Sequence, residues 1–133
     1  MCDWGGGTVH GMGSFLSVHE GPQRIAKTGS VALKPGMIVS NEPGYYRAGQ
    51  YGIRIENLEL VNPPEAVPGG ERELLSFETL TRVPIDRRLI DPTLMSPAEI
   101  AWFDAYHARV LAEIGPQLEG EDKAWLEAAT AAV

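Results

Sequence analysis

At Ser96 the chain changes its period, and that switch limits the folds open to it more than any other feature. Ser96-Pro97-Ala98-Glu99 carries the signals of a helix start. The serine is an N-cap, the proline stands where no N–H is needed, and the glutamate three residues on closes a capping box. Ile100, Phe103, His107, Val110, Leu111 and Ile114 then recur at helical spacing, and Gly115-Pro116 stops the run. A second helix is expected from about Glu121 to Ala131, with Trp125, Leu126 and Ala129 on its inner side. Upstream, Cys2 to Val61 is rich in glycine and β-branched residues, and Asn62 to Gly70 (NPPEAVPGG) reads as a linker or exposed loop. Glu71 to Leu80 reads as a strand, and Val83 to Met95 as extended chain punctuated by Pro84 and Pro92. Strand signals followed by helix signals give an α+β class. The expectation is a curved, mainly antiparallel sheet over about the first 82 residues, then a strap and two helices.

At 133 residues and 44% hydrophobic, the chain can bury a core as one ordinary domain or two small ones. Its net charge of −7 argues against nucleic acid and against an anionic membrane surface as partners. No apolar run approaches the roughly 18 residues of a spanning helix, and the first residues form no signal-like apolar stretch. Cys2 is the single cysteine, so no internal disulfide can form and a reducing, cytoplasmic setting is expected.

The chemistry-bearing residues lie in the first half. They are His10 in VHGMG, His19 in SVHEGP, Glu42 in NEPGYY and Glu56 in GIRIEN. Read as one strand, Gly52 to Val61 puts Arg54, Glu56, Leu58 and Leu60 on one face, which makes Glu56 a partly buried carboxylate. Such a group needs a cation. Two readings stay open for it, an ion pair with Arg54 or a metal. Glu42 follows the apolar Met37-Ile38-Val39 and precedes Pro43-Gly44, read as a turn, so it stands at a strand end facing what the turn encloses. One imidazole and two carboxylates suit Mn2+ or a similar divalent ion better than a thiolate-type zinc site, and no CxxC or HExxH pattern competes. The glycines Gly5-Gly6-Gly7 and Gly11-x-Gly13 lack the lysine and Ser/Thr of a phosphate loop, so close backbone packing around His10 is their expected use. His107, on an apolar helical stripe, is expected to be structural.

HGMGSFLSVHEGP, SNEPGYYRAGQYGIRIEN and PIDRRLI, spanning about Thr8 to Ile90, resemble the signature blocks of the M24B metallopeptidases, especially the Xaa-Pro aminopeptidases. The helical tail resembles the C-terminal extension of the longer members. The resemblance implies the C-terminal part of a pita-bread fold, with residues 1–70 in the catalytic domain and 71–133 in the extension. It implies His10, Glu42 and Glu56 as ligands of a dinuclear centre, Glu42 also moving a proton and Glu56 bridging the metals. His19 would contact substrate and stabilise the tetrahedral intermediate, and Arg54 would orient the carboxylates. The activity implied is release of the N-terminal residue from peptides with proline second, usually with manganese, cobalt or zinc substituting.

The sequence departs from that pattern in two places. The family's two aspartate ligands precede the histidine block, but here only Asp3 does, in an unrelated context, and Gly6 stands where relatives carry a second histidine. The expectation is a chain that lacks the N-terminal half of its catalytic domain and is inactive without it. It would be prone to self-associate through apolar surface around Val31, Leu33, Ile38 and Val39. Other readings are an inactive remnant or homodimerisation module of the same family, and a prolidase-like dipeptidase. A metal-free creatinase-like hydrolase is disfavoured by the retained His10, Glu42 and Glu56.

Overall fold

A computed structural model describes residues 9–15 and 17–133. Two compact units divide the chain, Met1–Thr81 and Arg82–Val133.

The first unit is built on a four-stranded antiparallel sheet in the order β1-β2-β5-β8, with β1 at Val9–Met12, β2 at Ile38–Asn41, β5 at Asn57–Val61 and β8 at Phe77–Thr79. Between β2 and β5 a separate hairpin forms from β3 (Gly44–Arg47) and β4 (Tyr51–Arg54), and a short one pairs β6 (Glu65–Ala66) with β7 (Glu73–Leu74). The register sets Val39 opposite Gly11 and Glu59, and Ser40 opposite His10 and Leu58. Side chains alternate across a strand. One face therefore carries Val9, Val39 and Val61, all buried, and the other carries His10, Ser40 and Leu58.

Several sequence expectations change here. Gly52–Val61 is not one strand: β4 and β5 belong to different sheets, with Ile55 and Glu56 between them. The Ile55 N–H donates to the Pro43 carbonyl at 3.3 Å, which marks the crossover. Pro43-Gly44 is likewise no turn but a passage from β2 into β3. The reversal comes at residues 48–50, where Gly49 takes φ 70°, a backbone angle open to glycine at little cost. The presumed linker holds β6, and the strand expected over Glu71–Leu80 is divided into β7 and β8. Of the four residues expected to expose apolar surface, Val39 is buried, because β2 is an interior strand paired on both sides. Leu33 and Ile38 are half-buried, and Val31 is exposed.

The second unit packs a strap against two helices, α1 (Pro97–Ile114) and α2 (Gly120–Ala129). The start of α1 is as its sequence dictates: the Glu99 N–H donates to the Ser96 hydroxyl, and the Ser96 N–H donates to the Glu99 carboxylate at 2.7 Å. Tyr106, Val110 and Leu126 form the core, with Ile85, Leu111, Ile114 and Leu118 packed around them. Of the three residues expected inside α2, Leu126 is buried and Ala129 half-buried, but Trp125 is 62% exposed. The strap, expected to be extended, contains two 3-10 turns at Arg87–Leu89 and Pro92–Leu94. It is tied to α1 by the Tyr106 hydroxyl, which donates to the Val83 carbonyl at 2.7 Å, and by the Ile85 N–H, which donates to His107 Nε2 at 3.0 Å. His107 is fully buried and serves this packing. No helix among the described residues is long and apolar enough to cross a membrane.

Candidate metal centre

Strand register assembles the site. His10 lies on β1 directly opposite Ser40 on β2, and Ser40 lies opposite Leu58 on β5. Glu42 is two residues beyond Ser40 and Glu56 two before Leu58, so both carboxylates leave the sheet on the His10 face. Extending the β2–β5 register by one residue sets them opposite each other. Both ladders end just short of these glutamates, which frees their side chains from the sheet without moving them to another face.

His10 Nε2 lies 2.8 Å from Glu42 Oε1, and the other Glu42 oxygen is 2.9 Å from the Arg54 guanidinium. His10 Nδ1 sits 2.9 Å from the Gly11 carbonyl. With Nδ1–H donating to that carbonyl, Nε2 faces the carboxylate, and the two atoms can meet through a proton or through a metal ion held between them. A ligating histidine is commonly fixed in this way, its far nitrogen donating to a backbone carbonyl. The His19 ring meets the His10 ring edge-on, with centroids 4.4 Å apart. His10, His19 and Glu42 each offer a ligand atom within 4.8 Å of the others. The donor set of imidazole and carboxylate fits a divalent ion.

The loop that carries His19 is pinned by Glu20. Its carboxylate accepts from the Phe15 and Ser17 N–H groups, each at 3.2 Å, and its own N–H donates to the Gly11 carbonyl. The Gln23 amide donates to the Met12 and Ile38 carbonyls at the end of the β1–β2 ladder. Beside His10 and His19 this loop encloses an open cavity of about 600 Å3, bordered by Glu20, Pro22, Gln23 and Arg24.

Arg54 is oriented from the hairpin. Its Nε donates to the Tyr46 hydroxyl at 2.8 Å. The Tyr46 ring lies over Gly44 and Gly52, where any Cβ would come within 2.7 Å of it, so the two glycines are what let the tyrosine lie flat. The Tyr46 hydrogen bond, followed by the charge interactions with Tyr46, Glu42 and Glu56, raises the Arg54 pKa above the ordinary guanidinium value. Glu56 is exposed rather than partly buried, because it falls in the gap between β4 and β5. Of the two readings left open for it, the direct ion pair is replaced: Arg54 pairs with Glu42, and Glu56 Oε1 accepts from the Ser40 hydroxyl at 2.6 Å. Ser40 and Tyr46 were not singled out from the sequence. Ser40 could have been, since it stands two residues before Glu42 on a strand and so shares its face. Asp3 and Gly6 lie outside the described residues.

Residues 3–63 match the family model described as metallopeptidase family M24, and residues 73–133 match that of the C-terminal region of peptidase M24. The chain is 46% identical over 134 residues to a probable Xaa-Pro aminopeptidase P of Tuber melanosporum, covering 96% of this chain and 22% of that protein. It is also 46% identical over 128 residues to aminopeptidase P2 of Arabidopsis thaliana, covering 93% and 18%. Among solved structures it resembles an X-prolyl aminopeptidase from Caenorhabditis elegans, described as a cytosolic enzyme with a di-nuclear active site. The TM-score is 0.83 at 38% identity, over 96% of this chain and 21% of that one. The chain thus spans about a fifth of the length of the relatives it matches. Its sheet and helices are those of the C-terminal part of a pita-bread fold. With both halves of its length matched in order, the chain belongs to the M24 metallopeptidases.

Proposed function

We propose that this chain forms one wall of the active site of a metal-dependent Xaa-Pro aminopeptidase, releasing the first residue of peptides that carry proline second. The observation that carries the reading is the His10–Glu42 pair, a histidine fixed through Nδ1 with Nε2 facing a half-buried carboxylate. His10, Glu42 and Glu56 would hold divalent ions, Mn2+ first and Co2+ or Zn2+ as substitutes, with His19 at the edge of the set. Such ions polarise a scissile carbonyl and acidify a water molecule.

The chain's own residues supply the rest. Glu42 would take on Oε1, the oxygen turned to His10, the proton that the attacking water gives up, and hand it to the departing amine. Arg54 holds Oε2 and so keeps the carboxylate from rotating away during the transfer. His19 is exposed, borders the cavity and is held by the Glu20 loop, so its imidazole can donate to an oxyanion on the substrate. The two aspartates that the family pattern requires, and the remaining wall, are proposed to come from the rest of such a catalytic domain. A cytoplasmic setting fits the reading, as described for the Caenorhabditis elegans enzyme.

The test is a peptide-release assay with Mn2+, using this chain co-expressed with the upstream part of an aminopeptidase P catalytic domain. Release of the first residue from Xaa-Pro-Xaa tripeptides, lost in His10→Ala, is the expected result. Cleavage confined to Xaa-Pro dipeptides would make it a prolidase instead, and no cleavage by a folded complex would overturn the reading.

A further inference from the structure

We infer that Ser40 is a positioning residue for metal binding: its buried hydroxyl fixes the Glu56 carboxylate and ties it to the strand position that carries His10. This rests on the metal-site reading above and extends it to a residue without a charge.

Three observations converge on Ser40. It is 0% exposed, on the interior strand β2, whose backbone is paired to β1 on one side and β5 on the other. A buried hydroxyl needs a partner. Its Oγ lies 2.6 Å from Glu56 Oε1, the separation of a charge-assisted O–H···O⁻ bond. An ionised carboxylate only accepts, so the serine donates. Finally, Ser40 is the direct cross-strand partner of His10. A single hydroxyl therefore links the row holding the histidine ligand to the carboxylate one step beyond the ladder.

Glu56 needs such a tether. It falls in the gap between β4 and β5 and is exposed, so the sheet does not hold its side chain. Bound through Oε1 to Ser40, the carboxylate is held at one oxygen, and Oε2 is the atom it can offer to a metal. Without the hydroxyl, a glutamate at an exposed break samples several rotamers, and a metal must order it on binding. Loss of an outer hydrogen bond to a ligating group typically costs about 10- to 100-fold in metal affinity.

The experiment is calorimetric titration of the 133-residue chain with MnCl2, using wild type, Ser40→Ala, Ser40→Thr and His10→Ala, alongside metal-free melting curves of each. Ser40→Thr keeps the hydroxyl on a strand-compatible side chain. We expect Ser40→Ala to melt near the wild type yet bind Mn2+ about 10- to 100-fold more weakly, with Ser40→Thr close to wild type. Wild-type affinity in a folded Ser40→Ala overturns the inference, and equal weakening in Ala and Thr assigns the loss to packing and overturns it too. If wild type binds no better than His10→Ala, the metal-site reading itself falls and the inference with it.

Discussion

Replacing Leu126 and Trp125 in turn tests how the helical unit is packed. The two are adjacent on α2, and the sequence pattern sets both inward, but Leu126 is 2% exposed in the Tyr106–Val110 core and Trp125 is 62% exposed. Leu126→Ala removes three buried carbons, and at about 0.8 kcal/mol each, with a cavity contribution, the loss falls within about 2–5 kcal/mol. A unit of roughly fifty residues is stable by about 3–8 kcal/mol, so this one change removes a large share of it. Trp125→Ala loses mostly solvated surface, and about 1 kcal/mol or less is expected. Both described α-helices lie in the second unit, so far-ultraviolet circular dichroism during urea unfolding reports on it directly. The expected order is a large drop in midpoint for Leu126→Ala and a small one for Trp125→Ala. Equal drops, or the reverse order, would refute the helix phase described above.

Three further outcomes follow from particular contacts. Burial, with the charge of Arg87, lowers the His107 pKa below the ordinary imidazole value while Asp104 pulls the other way. A proton on Nε2 would also displace the Ile85 N–H. The neutral ring's contribution to stability is therefore full above the unfolded-state pKa of about 6.5 and is lost as pH falls below it toward the folded value. Urea midpoints of the helical signal should decline over that range, and less steeply in His107→Asn; equal slopes would contradict it. Ser96→Ala removes the N-cap acceptor for Glu99 and should cost about 1 kcal/mol by the same assay, with no detectable change counting against the capping box. The 133-residue chain alone, with Mn2+, should release no residue from Xaa-Pro peptides, because the three proposed ligands on one wall would hold a metal pair poorly; turnover abolished by Glu56→Ala would overturn that.

Local signals were the legible ones. Ser96-Pro97-x-Glu99 describes a helix start in four residues because each partner lies within one turn of the other. The phase of α2 was harder, since Trp125 and Leu126 are both apolar and only the shape of the core decides between them. Gly52–Val61 alternates as cleanly as any strand, but alternation does not say that β4 pairs with β3 while β5 pairs with β2. The same limit governed the site. His10 and Glu42 meet through the register of β1 on β2, a long-range fact that no spacing contains, and their roles came from resemblance to a family. Ser40 and Tyr46 carry no charge that a sequence pattern marks, and their partners are fixed only once strands are paired.

The proposed site holds a divalent ion between His10 and the two glutamates. Its most direct measurement is a crystal of this chain soaked in MnCl2, with diffraction recorded at a wavelength where manganese scatters anomalously. The expected result is an anomalous peak bonded to His10 Nε2 and to the Glu42 or Glu56 carboxylate, on the Ser40 face of the sheet. A fully soaked crystal with no peak there, or with manganese bound only at carboxylates elsewhere, would contradict it.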